Sequence, residues 1–256
     1  SLAQLSFVDE LIVPPCPGDA GCSIGAAFYC YIKSNYFSDL NISKPSLFPS
    51  RKEIRNDELI TEQIISNEFS VLQRDENDAF LKAAELIAEG EVIGTVLSSS
   101  ETGPRALGNR SLLCDGKNKE AVENLNNVIK NRSPFRPTAP AMRYEIAQKY
   151  YNLRPEIYEC YKSMSATCKC FEDNVSLGFP TTHVDGTARI QIVENNSSID
   201  KLLSILEPMG IEILANSSLN VSGDPTCFDL VDGLMVCSRT KLRYLLTDIG
   251  LLKRKT

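Results

Sequence analysis

The chain has 256 residues, with 27 basic against 33 acidic side chains and a formal charge of −6. An apolar share of 43% supports a core of one domain, or one domain and part of another, and excludes a wholly disordered chain. No apolar run approaches the ~20 residues of a membrane span, and the acidic balance argues against a general nucleic-acid binder.

The segment 1–36 opens without an initiator Met or a signal-peptide core and runs at once into Glu10-Leu11-Ile12-Val13-Pro14-Pro15. It reads as the inside of a domain, and so as a piece of something longer. A strand is expected around Leu11 to Val13. A Gly-rich loop over 17–21 follows, then a helix through Gly25-Ala26-Ala27 whose small residues suit close packing on a sheet. Residues 37–75, rich in Pro, Ser and mixed charge, read as a linker with one short strand near 69–72. From residue 76 the rhythm is α/β. Phe80, Ala83, Ala84 and Ile87 mark one face of a helix over 76–90, with Asn77 or Asp78 as cap and Gly90 as stop. A strand is expected at 92–97, a helix at 119–130, a helix at 200–209 capped by Asp200, a strand at 211–214, a helix from Asp229 and a strand at 242–246. Residues 151–182 show no clean period.

Nine cysteines with irregular spacing and no C-x-x-C pair suit a reduced, cytoplasmic protein. The single histidine, His183, excludes a multi-histidine zinc site.

Four blocks carry chemistry. Glu101-Thr-Gly-Pro-Arg105-Ala-Leu-Gly-Asn-Arg110-Ser111 follows a predicted strand, and its arginines offer rigid forks for phosphate or carboxylate. Lys130-Asn-Arg132-Ser-Pro-Phe-Arg136-Pro sets three cations in a proline-stiffened loop. From Glu101 to Arg143 eight basic and four acidic residues give +4, leaving −10 on the remainder. A local cationic patch in an acidic chain points to a specific anion site, against the alternative of a solvated charged face. Thr181-Thr-His183-Val-Asp185-Gly-Thr-Ala-Arg189-Ile-Gln191 reads as a hairpin, with His183 and Asp185 near the turn and Arg189 on the returning strand. Asn216-Ser217-Ser-Leu-Asn220-Val-Ser-Gly-Asp224 offers donors and acceptors for a nucleotide or phosphate, or else forms an Asx-rich turn. There is no Walker A sequence and no G-x-S-x-G elbow.

In this order the blocks resemble the C-terminal region of the nodulation and antibiotic-biosynthesis type O-carbamoyltransferases. The resemblance implies an α/β, YrdC-like open twisted sheet with flanking helices over 76–256. Residues 1–36 would be the C-terminal end of an actin-like (Kae1-like) domain, and 37–75 a linker. It implies a carbamoyltransferase that joins ATP and carbamoyl phosphate into carbamoyl-adenylate with release of pyrophosphate. The carbamoyl group would then pass to a hydroxyl of a small acceptor in the Kae1-like domain. By position, Arg105, Lys130 and Arg136 would hold the triphosphate and carbamoyl phosphate and serve catalysis, offsetting repulsion between the reacting anions. Arg132, His183, Asp185, Arg189, Asn216, Ser217 and Asn220 would bind substrate and nucleotide, His183 as an orienter rather than a base. Asp19 matches a metal-binding aspartate whose histidine partners lie upstream of this chain. ATP with Mg²⁺ is expected, and a divalent metal, with Fe²⁺ a candidate, in the complete Kae1-like domain. Two departures stand out: Ser133 replaces a glutamate, and Leu219 a phenylalanine. No membrane or nucleic-acid partner is expected. Two other readings stay open, an RNA-binding YrdC-like module and a catalytically silent ATP-binding fragment.

Overall fold

The computed structural model describes residues 11, 13–14, 16–19, 21–34, 58–133, 136, 138–172 and 180–255. In chain order these form α1 (Gly21–Lys33), α2 (Glu58–Glu68), β1 (Phe69–Gln73), α3 (Glu76–Ala88), β2 (Ile93–Val96) and β3 (Ser111–Asp115). Then come α4 (Lys119–Glu123), which continues as a π-helical segment Asn124–Ile129, β4 (Ala139–Met142), α5 (Tyr144–Tyr150), β5 (Tyr151–Asn152) and α6 (Tyr158–Lys162). The chain ends with β6 (Cys168–Cys170), β7 (Thr187–Ala188), β8 (Gln191–Ile192), α7 (Ser198–Leu206), β9 (Leu214–Ser218), α8 (Leu230–Arg239), β10 (Tyr244–Thr247) and β11 (Gly250–Arg254).

Eight strands make one mixed sheet in the order β1-β11-β10-β2-β3-β9-β4-β8, and β5-β6-β7 make a small antiparallel one. Pairing in the large sheet is antiparallel except for β10 with β2 and β4 with β8. The strands alternate between two cores, as a period of two requires. Ile93, Leu113, Leu214, Leu246 and Leu251 join α3 and α7 on one face. Val96, Leu112, Cys114, Ala215, Leu245 and Leu252 join α4 and α8 on the other. This is the expected α/β open sheet with flanking helices. A third core, around Met142, Tyr151, Cys168 and Ile190, ties the small sheet to the large one.

Local chemistry explains the helix ends. Asp75, rather than Asn77 or Asp78, caps α3, its carboxylate accepting from the amides of Asn77 and Asp78 at 2.9 and 3.1 Å. Ser197, not Asp200, caps α7 by accepting from the Asp200 amide at 3.2 Å. Asp200 is thereby left to accept from Arg143.

Three expectations change. Leu11 and Val13 lie in no strand but pack on the third core, and the Cys160 thiol donates to the Leu11 carbonyl. Helix α1 buries none of its residues, so Gly25-Ala26-Ala27 meets no sheet among the described residues. The strand expected at 211–214 begins only at Leu214, because Leu214 to Ser218 are the residues that find partners on β3. Of the expected linker, 37–57 lies outside the described residues, while α2 packs beside β1, the edge strand of the main sheet.

The expected hairpin also changes form. Thr187 and Ala188 pair with β6, and Gln191 and Ile192 pair with β4. The returning strand is thus split between two sheets, with Arg189 and Ile190 at the split. No helix among the described residues is long and apolar enough to cross a membrane.

Candidate functional site

The loop from β2 to β3 is wound around one carboxylate. Glu101 Oε1 accepts from the amides of Leu107, Asn109 and Arg110 at 2.7, 2.8 and 3.1 Å. Gly108 takes φ +128°, and a Cβ there would lie 2.6 Å from Ile199 Cγ1, so the turn requires glycine. Arg110 is fully buried and donates to the carbonyls of Leu97, Ser98, Asn109 and Phe228 at 2.8–3.1 Å. The two arginines of this block therefore differ: Arg110 clasps the loop, and exposed Arg105 stands on it.

The π-helical segment ends with the Lys130 amide donating to the Leu125 carbonyl at 3.0 Å. Asn131 then takes φ +46°, a conformation asparagine tolerates, and turns the chain into the next loop. Lys130 is buried, and its ammonium donates to the Ser218 carbonyl at 2.7 Å, to the Asn220 carbonyl at 3.1 Å and to Asn220 Oδ1. Arg132 Nε donates to Asn126 Oδ1 at 2.7 Å, while its Nη2 is buried without a partner.

Across the sheet, Asn216 Nδ2 donates to the Ala106 carbonyl at 3.0 Å and to Gln191 Oε1 at 2.7 Å. Gln191 Nε2 in turn donates to the Leu107 carbonyl at 2.8 Å. This amide pair locks the first loop onto β8 and β9.

These elements enclose a cavity of about 560 Å³. Arg105, Arg132, Arg136, His183, Arg189, Asn216 and Ser217 all line it, and among the described residues its lining holds no carboxylate. The sequence blocks, far apart along the chain, are thus brought together. Pro104, Thr138, Met164, Thr167 and Ser218 also line it. Thr138 and Ser218 flank singled-out residues and could have been found that way. Met164 and Thr167 belong to the aperiodic segment and left no signal.

Four predicted residues do not reach the lining. Lys130 and Asn220 sit behind Ser218, bonded to each other. Asp185 is exposed and accepts from the Thr187 hydroxyl at 2.7 Å and amide at 3.0 Å. Asp19 is exposed and away from the lining, and no group of three or more His, Cys, Asp or Glu suited to a metal occurs among the described residues. Among the described residues the donors do not build a metal centre.

The +4 of residues 101–143 is not all in the patch. Lys117 pairs with Glu212, Lys119 with Glu123, and Arg143 with Asp200 and Glu207. What remains is a group of cations that repel one another. Burial, then the charges of Arg132 and Arg136, brings the Lys130 ammonium down to about 8, against a small opposing effect of Cys227. Burial, then Arg105, Arg132 and Arg136, brings Arg189 down to about 10. Buried polar atoms without partners cluster on the same lining residues: Arg132 Nη2, Thr138 Oγ1, Arg189 Nε and Asn216 Oδ1. Arg132 Nη2, Thr138 Oγ1 and Arg189 Nε can donate to a bound group, whereas Asn216 Oδ1 can only accept.

Residues 84–254 match the family model described as carbamoyltransferase C-terminus. The nodulation protein NolNO of Sinorhizobium fredii is 30% identical over 262 residues, covering 100% of this chain and 38% of that protein. The 3'-hydroxymethylcephem-O-carbamoyltransferase of Streptomyces clavuligerus is 31% identical over 233 residues, covering 87% and 40%. This chain spans less than half the length of either relative. Among solved structures, HypF of T. kodakarensis is similar at a TM-score of 0.49 and 16% identity, over 82% of this chain and 27% of that one. With four of its cavity-lining blocks inside the matched span, the chain belongs to the carbamoyltransferase C-terminus family.

Proposed function

We propose that the cavity binds ATP and carbamoyl phosphate and joins them as carbamoyl-adenylate. The observation that carries this reading is the convergence of Arg105, Arg132, Arg136 and Arg189 on a lining that holds no carboxylate among the described residues. Two phosphorylated substrates carry the charge that such a group lacks, and a volume of about 560 Å³ suits small molecules rather than a polymer. In balance, water opens the P–O bond of carbamoyl phosphate and phosphate leaves. The carbamate oxygen then attacks the α-phosphorus of ATP, and pyrophosphate leaves. Arginines fixed beforehand around the two anions offset their repulsion and the charge that develops on the leaving pyrophosphate. Magnesium would arrive on the nucleotide, since the described lining residues offer it no carboxylate.

Passage of the carbamoyl group to a hydroxyl acceptor is assigned to the Kae1-like portion that the family resemblance implies. The nine cysteines are all free, which suits the reducing cytoplasm where this reading places the protein.

The test is pyrophosphate release from ATP that depends on carbamoyl phosphate. Arg105→Ala or Arg136→Ala is expected to lower kcat/KM by about 10²-fold, the scale for losing one preorganised charge at a reacting anion. Release unchanged in both variants overturns the assignment.

A further inference from the structure

His183 lines the cavity at the head of a tight turn. Its amide donates to the Thr187 carbonyl at 2.7 Å, its carbonyl accepts from the Gly186 amide at 3.0 Å, and Gly186 takes φ +74°. Within this turn the protons can be counted. Thr187 Oγ1 lies 2.7 Å from Asp185 Oδ1, and the Thr187 amide donates to the same oxygen at 3.0 Å. These two bonds, with His183 beside them, hold the Asp185 carboxyl below its usual range. An ionised carboxylate only accepts, so the one hydroxyl proton of Thr187 is committed to Asp185. His183 Nδ1 lies 3.0 Å from the same hydroxyl oxygen and can meet it only as a donor. The proton is therefore on Nδ1. In the neutral ring Nε2 is left as a bare lone pair, and it makes no hydrogen bond among the described residues.

That lone pair matters because the charged groups that line the same cavity among the described residues only donate. Arginine has no acceptor. The carbamoyl unit carries an amino group with two N–H donors, which a lining of arginines repels. We infer that Thr187, held by Asp185, is a positioning residue that fixes the His183 proton on Nδ1, so that Nε2 serves as the acceptor for the carbamoyl amino group. The inference rests on the carbamoyl-adenylate reading and extends it to substrate selection. It also moves Asp185 out of the cavity: its contact with substrate runs through Thr187 and His183.

The test uses the 256-residue chain and two readouts. Because His183 is the only histidine, ¹⁵N-histidine NMR reports its tautomer without assignment. The wild-type chain is expected to carry the proton on Nδ1, and Thr187→Val to shift it to Nε2 or to a mixture. Kinetics then compare carbamoyl phosphate with acetyl phosphate, which puts a methyl where the amino group stands. The wild-type chain is expected to favour carbamoyl phosphate at least tenfold in KM, the scale on which a site built for an N–H rejects its apolar analogue. Thr187→Val should abolish that preference mainly by raising KM for carbamoyl phosphate, and Thr187→Ser should restore it. A wild-type proton on Nε2, or a preference unchanged in Thr187→Val while pyrophosphate is still released, overturns the inference and leaves the adenylate reading standing. No pyrophosphate release with either acyl phosphate overturns both.

Discussion

Lys130 is the side chain in which the conflict at this site is sharpest. It sits among polar acceptors, yet burial first and then two neighbouring arginines pull its ammonium down to about 8. The folded state therefore binds fewer protons than the unfolded chain between about 8 and 10.5. Stability rises with pH across that window, where the unfolded state binds more. The urea midpoint of the wild-type chain is expected to gain on that of Lys130→Met between pH 8 and pH 10. Affinity for ATP should move the other way, falling as pH rises through about 8, and Lys130→Arg should flatten that fall in calorimetric titrations. Arg105 and Arg110 divide roles five residues apart. Arg110→Met is expected to cost about 3 kcal/mol of stability, because four carbonyls lose their buried donor. Arg105→Ala, at an exposed site, should stay within about 0.5 kcal/mol of wild type in the same urea titration.

Elements with a strong period could be read directly. The stripe Phe80-Ala83-Ala84-Ile87 is buried as predicted, and α8 starts after Asp229, whose carboxylate accepts from the Asp232 amide. Elements whose pairing is set from afar could not. No strand is expected at Ala139–Met142, which include a proline, yet they form β4 because β8 and β9 flank them. Thr187 to Ile192 alternates like one strand but serves two sheets, which no local pattern records. The site followed the same division. Arg105, Arg132, Arg136, Arg189 and Asn216 were readable from residue type and spacing, because Gly, Pro and Arg in loops after strands have few other uses. That Lys130 and Asn220 face each other behind β9, and that Met164 and Thr167 close the far wall, depends on tertiary placement alone.

At the scale of the molecule, the main sheet begins at residue 69 rather than at 76 or 84. Phe69 is buried in the second core, and β1 covers the edge of β11 from Phe69↔Arg254 to Gln73↔Leu251. A chain starting at Glu76 loses that strand and leaves an unpaired edge. It is expected to aggregate and to melt earlier than a chain starting at Glu58, as thermal denaturation and light scattering would show. Equal behaviour of the two would place β1 outside the cooperative unit.

The split of Thr187 to Ile192 bears on how such chains can vary. Two residues pair with β6, two pair with β4, and between them Arg189 lines the cavity while Ile190 is buried in the third core. One added residue would turn every following side chain to the opposite face and carry Arg189 off the lining. This stretch can accept substitutions but not a change of length. It works as a ruler between the two sheets, and an inserted or deleted residue here is expected to break one of the two pairings.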